Sequence, residues 1–287
     1  MPSRSAPLRN RLPWTRLKMA AAKVAYRVMR PVLGKKPRII ERGGIRYRVD
    51  LSEAIDFALY VSGHFQDHVT NAGLKAIPPD AVVFDVGANL GSMALAFAKR
   101  FPRGKVVAFE PTHPGFARLR ENLELNPDLA KRVTAVQTFV SDQSGTTHGL
   151  SACSSWKLDG TGAAPHPLHG GSLGAVEGVP AVSLDDYCRD EGVKRLDLLK
   201  IDTDGHELAV LRGARGILKR LRPAIIFEIG LYLLEERGVR VDDYFDLLEP
   251  LGYRLVSCKS GRDVTRETAS REIPTRSTTD LLALAPR

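Results

Sequence analysis

The chain has few cysteines among its 287 residues, and no two of them form a CxxC pair. The three cysteines, Cys153, Cys188 and Cys258, lie far apart in the sequence. An odd number at this spacing excludes a disulfide framework and a cysteine-based zinc site, and it fits a reducing, intracellular compartment best.

Long uncharged apolar runs are also lacking. The longest candidate, from Met19 to Met29, is interrupted by Lys23 and Arg27. It is therefore too short and too charged to span a bilayer, which takes roughly 20 apolar residues, or to form the apolar region of a signal peptide. We expect a cytoplasmic protein, although an arginine-rich start without acids also resembles an organellar transit peptide.

Acidic residues are absent from the first 40 positions, which hold eleven Lys and Arg. Of the 42 basic residues, 31 remain in residues 41–287 against all 33 acidic ones, so the net charge there is −2 while that of the whole chain is +9. The basicity therefore belongs to an N-terminal arm, residues 1–40, attached to a nearly neutral domain of residues 41–287.

The arm is predicted to contain an amphipathic helix over residues 13–33. Its apolar stripe comprises Trp14, Leu17, Ala21, Val24, Ala25, Val28 and Val32. The basic residues Arg16, Lys23, Arg27 and Arg30 gather on the opposite side. Two interpretations stay open: contact with an anionic membrane surface or another anionic partner, or docking of the stripe on the protein's own body.

Apolar strands alternate with helical stretches from residue 81 onward. Seven strands are predicted, at residues 81–86, 105–110, 132–140, 195–202, 223–229, 253–258 and 280–285. Helices are predicted between them, among them one from Gly205 to Leu221 and one near residues 233–250. The alternation predicts an α/β fold, a doubly wound, mostly parallel sheet with helices on both faces. The last two strands are predicted to form an antiparallel hairpin, because no helical stripe connects them.

The segment before this sheet, residues 41–78, is predicted to complete a hairpin over 38–50 that turns at Gly43 and Gly44, followed by helices at 53–62 and 65–76. Residues 142–178 interrupt the alternation and have little periodicity. Their length favours a lid-like insertion over an inert loop. The irregular spacing of His148, His166 and His169 indicates exposed loop histidines, and we predict no bound metal.

Glycines follow the first strand of the sheet, and an acid ends the next. The first strand runs into Asp85, Val86, Gly87, Ala88, Asn89, Leu90 and Gly91, and the second ends at Glu110 and Pro111. Glycines at this position let a ligand approach the backbone, and a carboxylate on the neighbouring strand can accept both hydroxyls of a ribose. The spacing is not the GxGxxG of dinucleotide folds, and an Asp in the loop would repel phosphate. A phosphate-free cofactor with a ribose, an ammonium and a sulfonium fits, as in S-adenosyl-L-methionine.

These motifs resemble the FkbM family of class I S-adenosylmethionine-dependent methyltransferases. The resemblance rests on VVFDVGANLG, VVAFEP and KIDTDGHE in chain order, and it covers roughly residues 63–230. It implies a Rossmann-like, seven-stranded fold and O-methylation of a sugar or natural-product hydroxyl. By position it implies cofactor contacts from Asp85, Gly87, Ala88, Asn89, Gly91, Glu110 and Pro111, with Ser141 and Asp142 beside the adenine. Gln66 stands where relatives often carry Glu.

Candidate catalytic residues follow the fourth and fifth strands. Strand alternation puts Asp202 on the side of Lys200, and the next turn presents Asp204 and His206 to the cleft. Histidine titrates near neutral pH and is a natural base. The family usually has DVEGAE where this chain has DTDGHE, so the base stays open among His206, Asp202, Asp204 and Glu207. Glu228 matches a family acid facing the cleft; the alternative is an ion pair with a nearby basic residue.

The predicted function is S-adenosylmethionine-dependent O-methylation of a carbohydrate, glycolipid or secondary metabolite. One alternative is an RNA methyltransferase whose basic arm binds phosphates, although the negative body and the scarcity of aromatic residues in the arm speak against nucleic acid. Another is a non-catalytic cofactor-binding protein. The arm suggests peripheral attachment to the anionic inner face of a membrane, and the oligomeric state stays open.

Overall fold

A computed structural model describes residues 14–34, 36–63, 77–145, 151–161 and 171–286. The predicted helix at 65–76, Gln66 and the three histidines of the insertion, His148, His166 and His169, lie outside the described residues. Within the described ranges, no helix combines the length and apolar character that crossing a membrane requires.

The strands, in chain order, are β1 (Arg38–Arg42), β2 (Ile45–Val49), β3 (Val82–Val86), β4 (Lys105–Phe109), β5 (Val133–Val136), β6 (Phe139–Ser141), β7 (Ser151–Ser155), β8 (Ser172–Ala175), β9 (Ala181–Ser183), β10 (Leu198–Ile201), β11 (Ala224–Ile229), β12 (Arg254–Ser257), β13 (Asp263–Val264) and β14 (Thr279–Leu284). The α-helices are α1 (Trp14–Leu33), α2 (Ala54–Ser62), α3 (Ser92–Arg100), α4 (His113–Glu124), α5 (Pro127–Ala130), α6 (Leu184–Asp190), α7 (Glu207–Arg212), α8 (Arg215–Leu221), α9 (Leu231–Arg237), α10 (Val241–Leu248) and α11 (Ala269–Glu272).

The N-terminal elements α1, β1, β2 and α2 confirm the predicted arm helix, hairpin and first short helix. Strands β1 and β2 pair antiparallel. They turn at Gly43 and Gly44, whose φ values of 53° and 69° are left-handed and favour glycine.

Helix α1 docks on the body through a face that does not include the valines of its apolar stripe. Tyr26 is 3% exposed, and its ring packs edge-on against Phe57 of α2 with 6.0 Å between centroids. Further partly buried residues of α1 are Ala22, Ala25, Met29 and Leu33. The stripe residues Val24, Val28 and Val32 are exposed instead. The interpretation that the stripe docks on the body is therefore wrong for these valines, because the face with the larger Tyr26 and Met29 side chains has more apolar surface to bury.

The central sheet has eight strands in the described part of the chain, in the order β13-β12-β14-β11-β10-β3-β4-β5. Strands β11, β10, β3, β4 and β5 pair in parallel. Strand β14 runs antiparallel to both β11 and β12. The mostly parallel sheet with a terminal antiparallel pair is thus confirmed.

The predicted number of seven strands is wrong by one. The additional strand, β13, has two residues and pairs with β12 at the edge of the sheet. Two residues are too few to show the alternation by which a strand is recognised in a sequence.

Three elements predicted as continuous are divided. The predicted strand at 132–140 becomes β5 in the central sheet and β6, which pairs with β9 in a separate small sheet. The helix predicted from Gly205 to Leu221 breaks between α7 and α8 at Gly213, where an added Cβ would lie 2.1 Å from the carbonyl oxygen of Ser141. The helix predicted near 233–250 breaks after Gly238, whose φ is 63°.

Apolar side chains cover both faces of the sheet. Phe84 packs in one buried cluster with Phe109 and Phe227, whereas its neighbour Val83 belongs to a second cluster with Phe97. Successive residues of a strand point to opposite faces, so both layers of helices have an apolar surface to pack on.

An antiparallel ribbon of β7 and β8 lies within the segment predicted as an insertion. The residues that directly follow β7 pair through their backbone with residues 52–54, at the start of α2. The amide of Ala54 donates to the Trp156 carbonyl at 2.9 Å, and the amide of Leu158 donates to the Ser52 carbonyl at 2.7 Å. Lys157 Nζ adds an ion pair with Glu53 Oε1 at 3.0 Å. These contacts place Trp156 next to the N-terminal end of α2.

Candidate active site

A cavity of about 940 Å³ lies beyond the C-terminal ends of the parallel strands. The strands β3, β4, β10 and β11 lead into its walls, while the ribbon, α2 and the segment before β14 close it from the other sides. Ligands of open α/β sheets bind at this edge, and the volume lies within the usual range for a small-molecule site.

The loop after β3 forms the floor of the cavity. The amides of Gly87 and Ala88 donate to the Phe109 carbonyl at 3.0 and 2.9 Å, which holds the loop against β4. Gly87 has a φ of 82°, and a Cβ there would lie 1.8 Å from the carbonyl oxygen of Asp202. Asn89 adopts a left-handed φ of 46°. The close approach of two strand ends therefore requires glycine at position 87.

Glu110 joins this loop to the end of β4. One of its oxygens accepts the Asn89 amide at 2.9 Å, and the other accepts the Thr112 amide and hydroxyl at 2.9 and 2.5 Å. The side chain is 5% exposed, and burial raises its pKa in spite of these hydrogen bonds. Glu110 is thus held in one orientation at the cavity wall.

Asp85 lies behind the floor, in an ion pair. It is fully buried, and its carboxylate is 3.1 Å from Lys200 Nζ, which is also 3.4 Å from Asp202 Oδ2. Burial alone would lower the pKa of Lys200, but Asp85 and Asp202 more than offset it and raise that pKa. Burial raises the pKa of Asp85, opposed by Lys200. Lys200 therefore balances the negative charges of two carboxylates, Asp85 and Asp202, under the loop.

The turn after β10 is held by Glu207. This buried carboxylate accepts the Thr203 amide and hydroxyl at 2.9 and 3.0 Å and the Gly205 amide at 3.0 Å. The turn places Asp204 in a left-handed conformation, φ 52°, with its side chain on the cavity. Glu207 itself does not line the cavity among the described residues, so its contacts are those of a residue that shapes the turn.

Two carboxylic acids with raised pKa values face the cavity. Burial and the neighbouring charges of Asp202 and Glu207 raise the pKa of Asp204. Burial and the charges of Asp202 and Asp204 raise that of Glu228, although a hydrogen bond from Thr278 opposes this. Like charges in one partly desolvated site favour the protonated form. The two acids are therefore suited to exchange a proton nearer to neutral pH than ordinary carboxyls.

His206 lies beside these acids at the start of α7. Its ring packs edge-on against Phe139 with 5.1 Å between centroids, and both residues line the cavity. The cavity thus brings together the four predicted catalytic residues, Asp202, Asp204, His206 and Glu228.

The predicted cofactor residues divide into two groups. Those lining the cavity are Gly87, Ala88, Asn89, Glu110 and Pro111. Asp85, Gly91, Ser141 and Asp142 are not among the described lining residues. An added Cβ on Gly91 would lie 2.5 Å from Leu119 Cδ1, so this glycine serves helix packing. Ser141 Oγ bonds Asp142 at 3.1 Å, and Thr138, Phe139 and Val140 line the wall there instead.

Other lining residues were not predicted from the sequence. They include Ala152 of the ribbon and Trp156 after β7, Ala54, Ile55 and Ala58 of α2, and Thr278 and Asp280 at the start of β14. No local motif marks them, because each comes to the cavity from a distant part of the chain. Among the described residues, no cluster of His, Cys, Asp or Glu is suited to hold a metal ion.

A mostly parallel sheet with a terminal antiparallel strand and a glycine loop after its first parallel strand defines the class I methyltransferase fold. Residues 85–255 match the sequence profile of the methyltransferase FkbM domain. This match covers more than half of the chain, and the chain belongs to the FkbM methyltransferase family.

Similar proteins match part of the chain. It is 30% identical over 153 residues to the 2-O-methyltransferase NoeI of Sinorhizobium fredii, which covers 50% of this chain and 61% of NoeI. It is 24% identical over 192 residues to the hexuronic acid methyltransferase AglP of Haloferax volcanii, with coverages of 67% and 74%. A crystal structure of methyltransferase FkbM from Methylobacillus flagellatus is 18% identical, with a TM-score of 0.46 over 74% of this chain and 45% of that one. The chain therefore spans less than two thirds of the length of NoeI.

Proposed function

We propose that this protein is an S-adenosylmethionine-dependent O-methyltransferase that acts on a carbohydrate hydroxyl, in free or lipid-linked form. The observation that carries the proposal is that Glu110 and the glycine loop line the same cavity as Asp204 and Glu228. The names of NoeI and AglP, a 2-O-methyltransferase and a hexuronic acid methyltransferase, support the same reaction class.

The residues of the loop fit S-adenosylmethionine. The cofactor supplies a methyl group on a positively charged sulfur for displacement by a nucleophilic oxygen. Glu110 lines the cavity and is proposed to accept the ribose hydroxyls. Asn89 Oδ1 is buried without a hydrogen-bond partner in the described part of the structure, and a bound donor would satisfy it. The carboxylates of Glu110, Asp202 and Asp204 suit a cation and oppose a pyrophosphate.

Asp204 and Glu228 are proposed as the groups that receive the proton of the acceptor hydroxyl. A hydroxyl attacks as it loses its proton, and a base works best when its pKa lies near the working pH. Burial and neighbouring negative charges raise the pKa of both acids, which moves them toward this condition. Asp202 and Asp85 both form ion pairs with Lys200. Asp202 is proposed to stabilise the turn after β10 and to contribute negative charge to the site. His206 is proposed to contact the acceptor.

Trp156 favours a sugar among the possible acceptors. It lines the cavity together with the small apolar residues Ala54 and Ala58, while Asp204 and Glu228 line it as polar groups. A sugar has apolar C–H faces that pack on an aromatic ring and hydroxyls that donate to carboxylates. The same carboxylates would repel the phosphates of RNA, which favours a carbohydrate over nucleic acid.

The domain organisation is part of the proposal. Residues 41–287 would act as one methyltransferase domain, in which 41–78 contribute the acceptor wall and the insertion 142–178 serves as a lid. Two backbone hydrogen bonds support this, from Ala54 to Trp156 and from Leu158 to Ser52. They link residues 41–78 to the insertion beside the cavity.

Calorimetry with S-adenosylmethionine tests the cofactor site. Glu110→Gln should weaken binding by roughly ten-fold or more, because the amide removes the charge and one acceptor oxygen. Glu121→Gln, a half-exposed acid on α4, is the matched control and should bind as wild type does. Equal binding by wild type and Glu110→Gln, or none by wild type, would contradict the proposal. Mass spectrometry of glycans and lipids from cells with and without the gene would identify the acceptor by the mass of one added CH₂.

A further inference from the structure

Large exposed apolar side chains gather in the N-terminal elements. In the described part of the chain they are Val24 at 61%, Val28 at 72%, Val32 at 89%, Ile39 at 58% and Val61 at 57% exposed. They lie on α1, β1 and α2, and among the described residues none lies beyond residue 61. Single exposed apolar residues are ordinary, but their restriction to one part of a fold indicates an interaction surface.

Three of these residues form a ridge on α1. Val24, Val28 and Val32 follow one another at intervals of four residues, so they lie on one side of the helix; we call them the valine ridge. The opposite face, with Tyr26 at 3% exposure, already packs on the body. The ridge is therefore directed away from the protein while the helix is held in place.

Positive charge lies on another side of α1, about 130° around the helix axis from the ridge. Lys23, Arg27 and Arg30 follow the helix between the ridge and the docked face, as 100° per residue requires. The first 40 residues contain no acid to compensate them. A bilayer with anionic lipids offers both an apolar layer for the valines and negative headgroups for the bases.

We propose that the valine ridge and its basic flank bind an anionic lipid bilayer, with α1 lying in the plane of the membrane surface. A second copy of the chain is a poorer occupant, because the two basic flanks would face each other without acids between them. Nucleic acid would use the bases and leave the valines in water.

The helix that carries the ridge packs against an element that lines the cavity. Helix α2, which packs on Tyr26 through Phe57, lines the cavity with Ala54, Ile55 and Ala58. Together with the proposed function, on which this step rests, the arrangement assigns a lipid-linked sugar as the acceptor. The membrane would hold the lipid beside α2 while the sugar enters between α2 and Trp156.

Vesicle sedimentation with the full chain tests the surface. Vesicles of phosphatidylglycerol and phosphatidylcholine are compared with pure phosphatidylcholine at low and high salt. One variant carries Val24→Gln, Val28→Gln and Val32→Gln, and a second carries Lys23→Gln, Arg27→Gln and Arg30→Gln. The matched control carries Arg215→Gln, Lys219→Gln and Arg220→Gln, which removes three exposed bases from α8.

Wild type and the control should bind the anionic vesicles, less at high salt, and should not bind the neutral ones. The base variant should lose about five-fold in partitioning for each charge, roughly a hundred-fold in all. The valine variant should lose roughly ten-fold or more. Circular dichroism should show unchanged folding, because all six side chains lie outside the core.

Equal partitioning of the valine variant and wild type would overturn the proposal, as would absence of binding by wild type. Analytical ultracentrifugation that shows a dimer dissolved by the valine substitutions would assign the ridge to a second copy and also overturn it. Calorimetry with S-adenosylmethionine on the same variants separates this result from the proposed function, since the ridge variants should bind the cofactor as wild type does.

Discussion

Replacement of Lys200 by Met would test how the buried charges under the glycine loop are balanced. Lys200 is 3% exposed and Asp85 is fully buried, and their charged atoms are 3.1 Å apart. Methionine has a similar length and no charge, so Lys200→Met leaves the Asp85 carboxylate without compensation. Breaking a buried pair on one side costs about 3–5 kcal/mol of unfolding free energy. For a domain of this size, the melting temperature should fall by roughly 10 °C.

The loss of unfolding free energy in Lys200→Met should depend on pH. In Lys200→Met, the pKa of Asp85 in the folded state rises further above its ordinary value of 3.8, because burial acts without the opposing lysine. Above 3.8 the unfolded chain releases this proton while the folded one retains it, so the stability of the variant falls as the pH rises. The deficit relative to wild type should therefore be smaller at pH 5 than at pH 8.

Urea unfolding followed by circular dichroism at both pH values provides the measurement. Lys131→Met is the matched control, since its ion pair with Asp128 lies on the surface, and it should change nothing measurable. The double variant Asp85→Asn/Lys200→Met should recover part of the lost stability. If Lys200→Met unfolds as wild type does at pH 8, the ion pair does not carry the stability assigned to it.

Three further predictions concern the cavity. Gly87→Ala should cost roughly 2–4 kcal/mol of unfolding free energy and abolish cofactor binding, because its Cβ would lie 1.8 Å from the Asp202 carbonyl oxygen. If calorimetry shows that Gly87→Ala binds the cofactor as tightly as wild type does, the close approach is contradicted. Trp156→Ala should raise the KM for the acceptor roughly ten-fold while the Kd for S-adenosylmethionine stays constant. Trp156→Phe is the control, because it retains an aromatic ring for stacking. A change in the cofactor Kd alone would contradict a contact between Trp156 and the acceptor. The rate of methyl transfer should rise with pH through the raised pKa of Glu228, and Asp202→Asn should move this limb to lower pH because it removes a neighbouring negative charge. The surface control Asp128→Asn should leave the pH profile of the rate unchanged. If Asp202→Asn also leaves it unchanged, Glu228 and Asp204 are not the base.

Much of the fold could be predicted because its determinants are local. Each parallel strand is mostly apolar, and Gly87 and Glu110 directly follow β3 and β4, so spacing along the chain was enough to place them on one edge of the sheet. Ser141 and Asp142 could be assigned only by resemblance. The structure places Thr138, Phe139 and Val140 at the cavity instead, because the predicted third strand divides and its second half pairs with β9.

The sequence by itself determined the alternation of strands and helices, the glycine loop, the acids at the strand ends and the separation of a basic arm from a nearly neutral body. These features depend on residue type and on periods of two or 3.6 residues. Only the tertiary structure decided that Tyr26 and not the valines docks α1, that Lys200 pairs with Asp85, and that Trp156 meets α2 at the cavity. Each of these contacts joins segments far apart in the chain, and which partner wins depends on the shape and area of the surface that it meets.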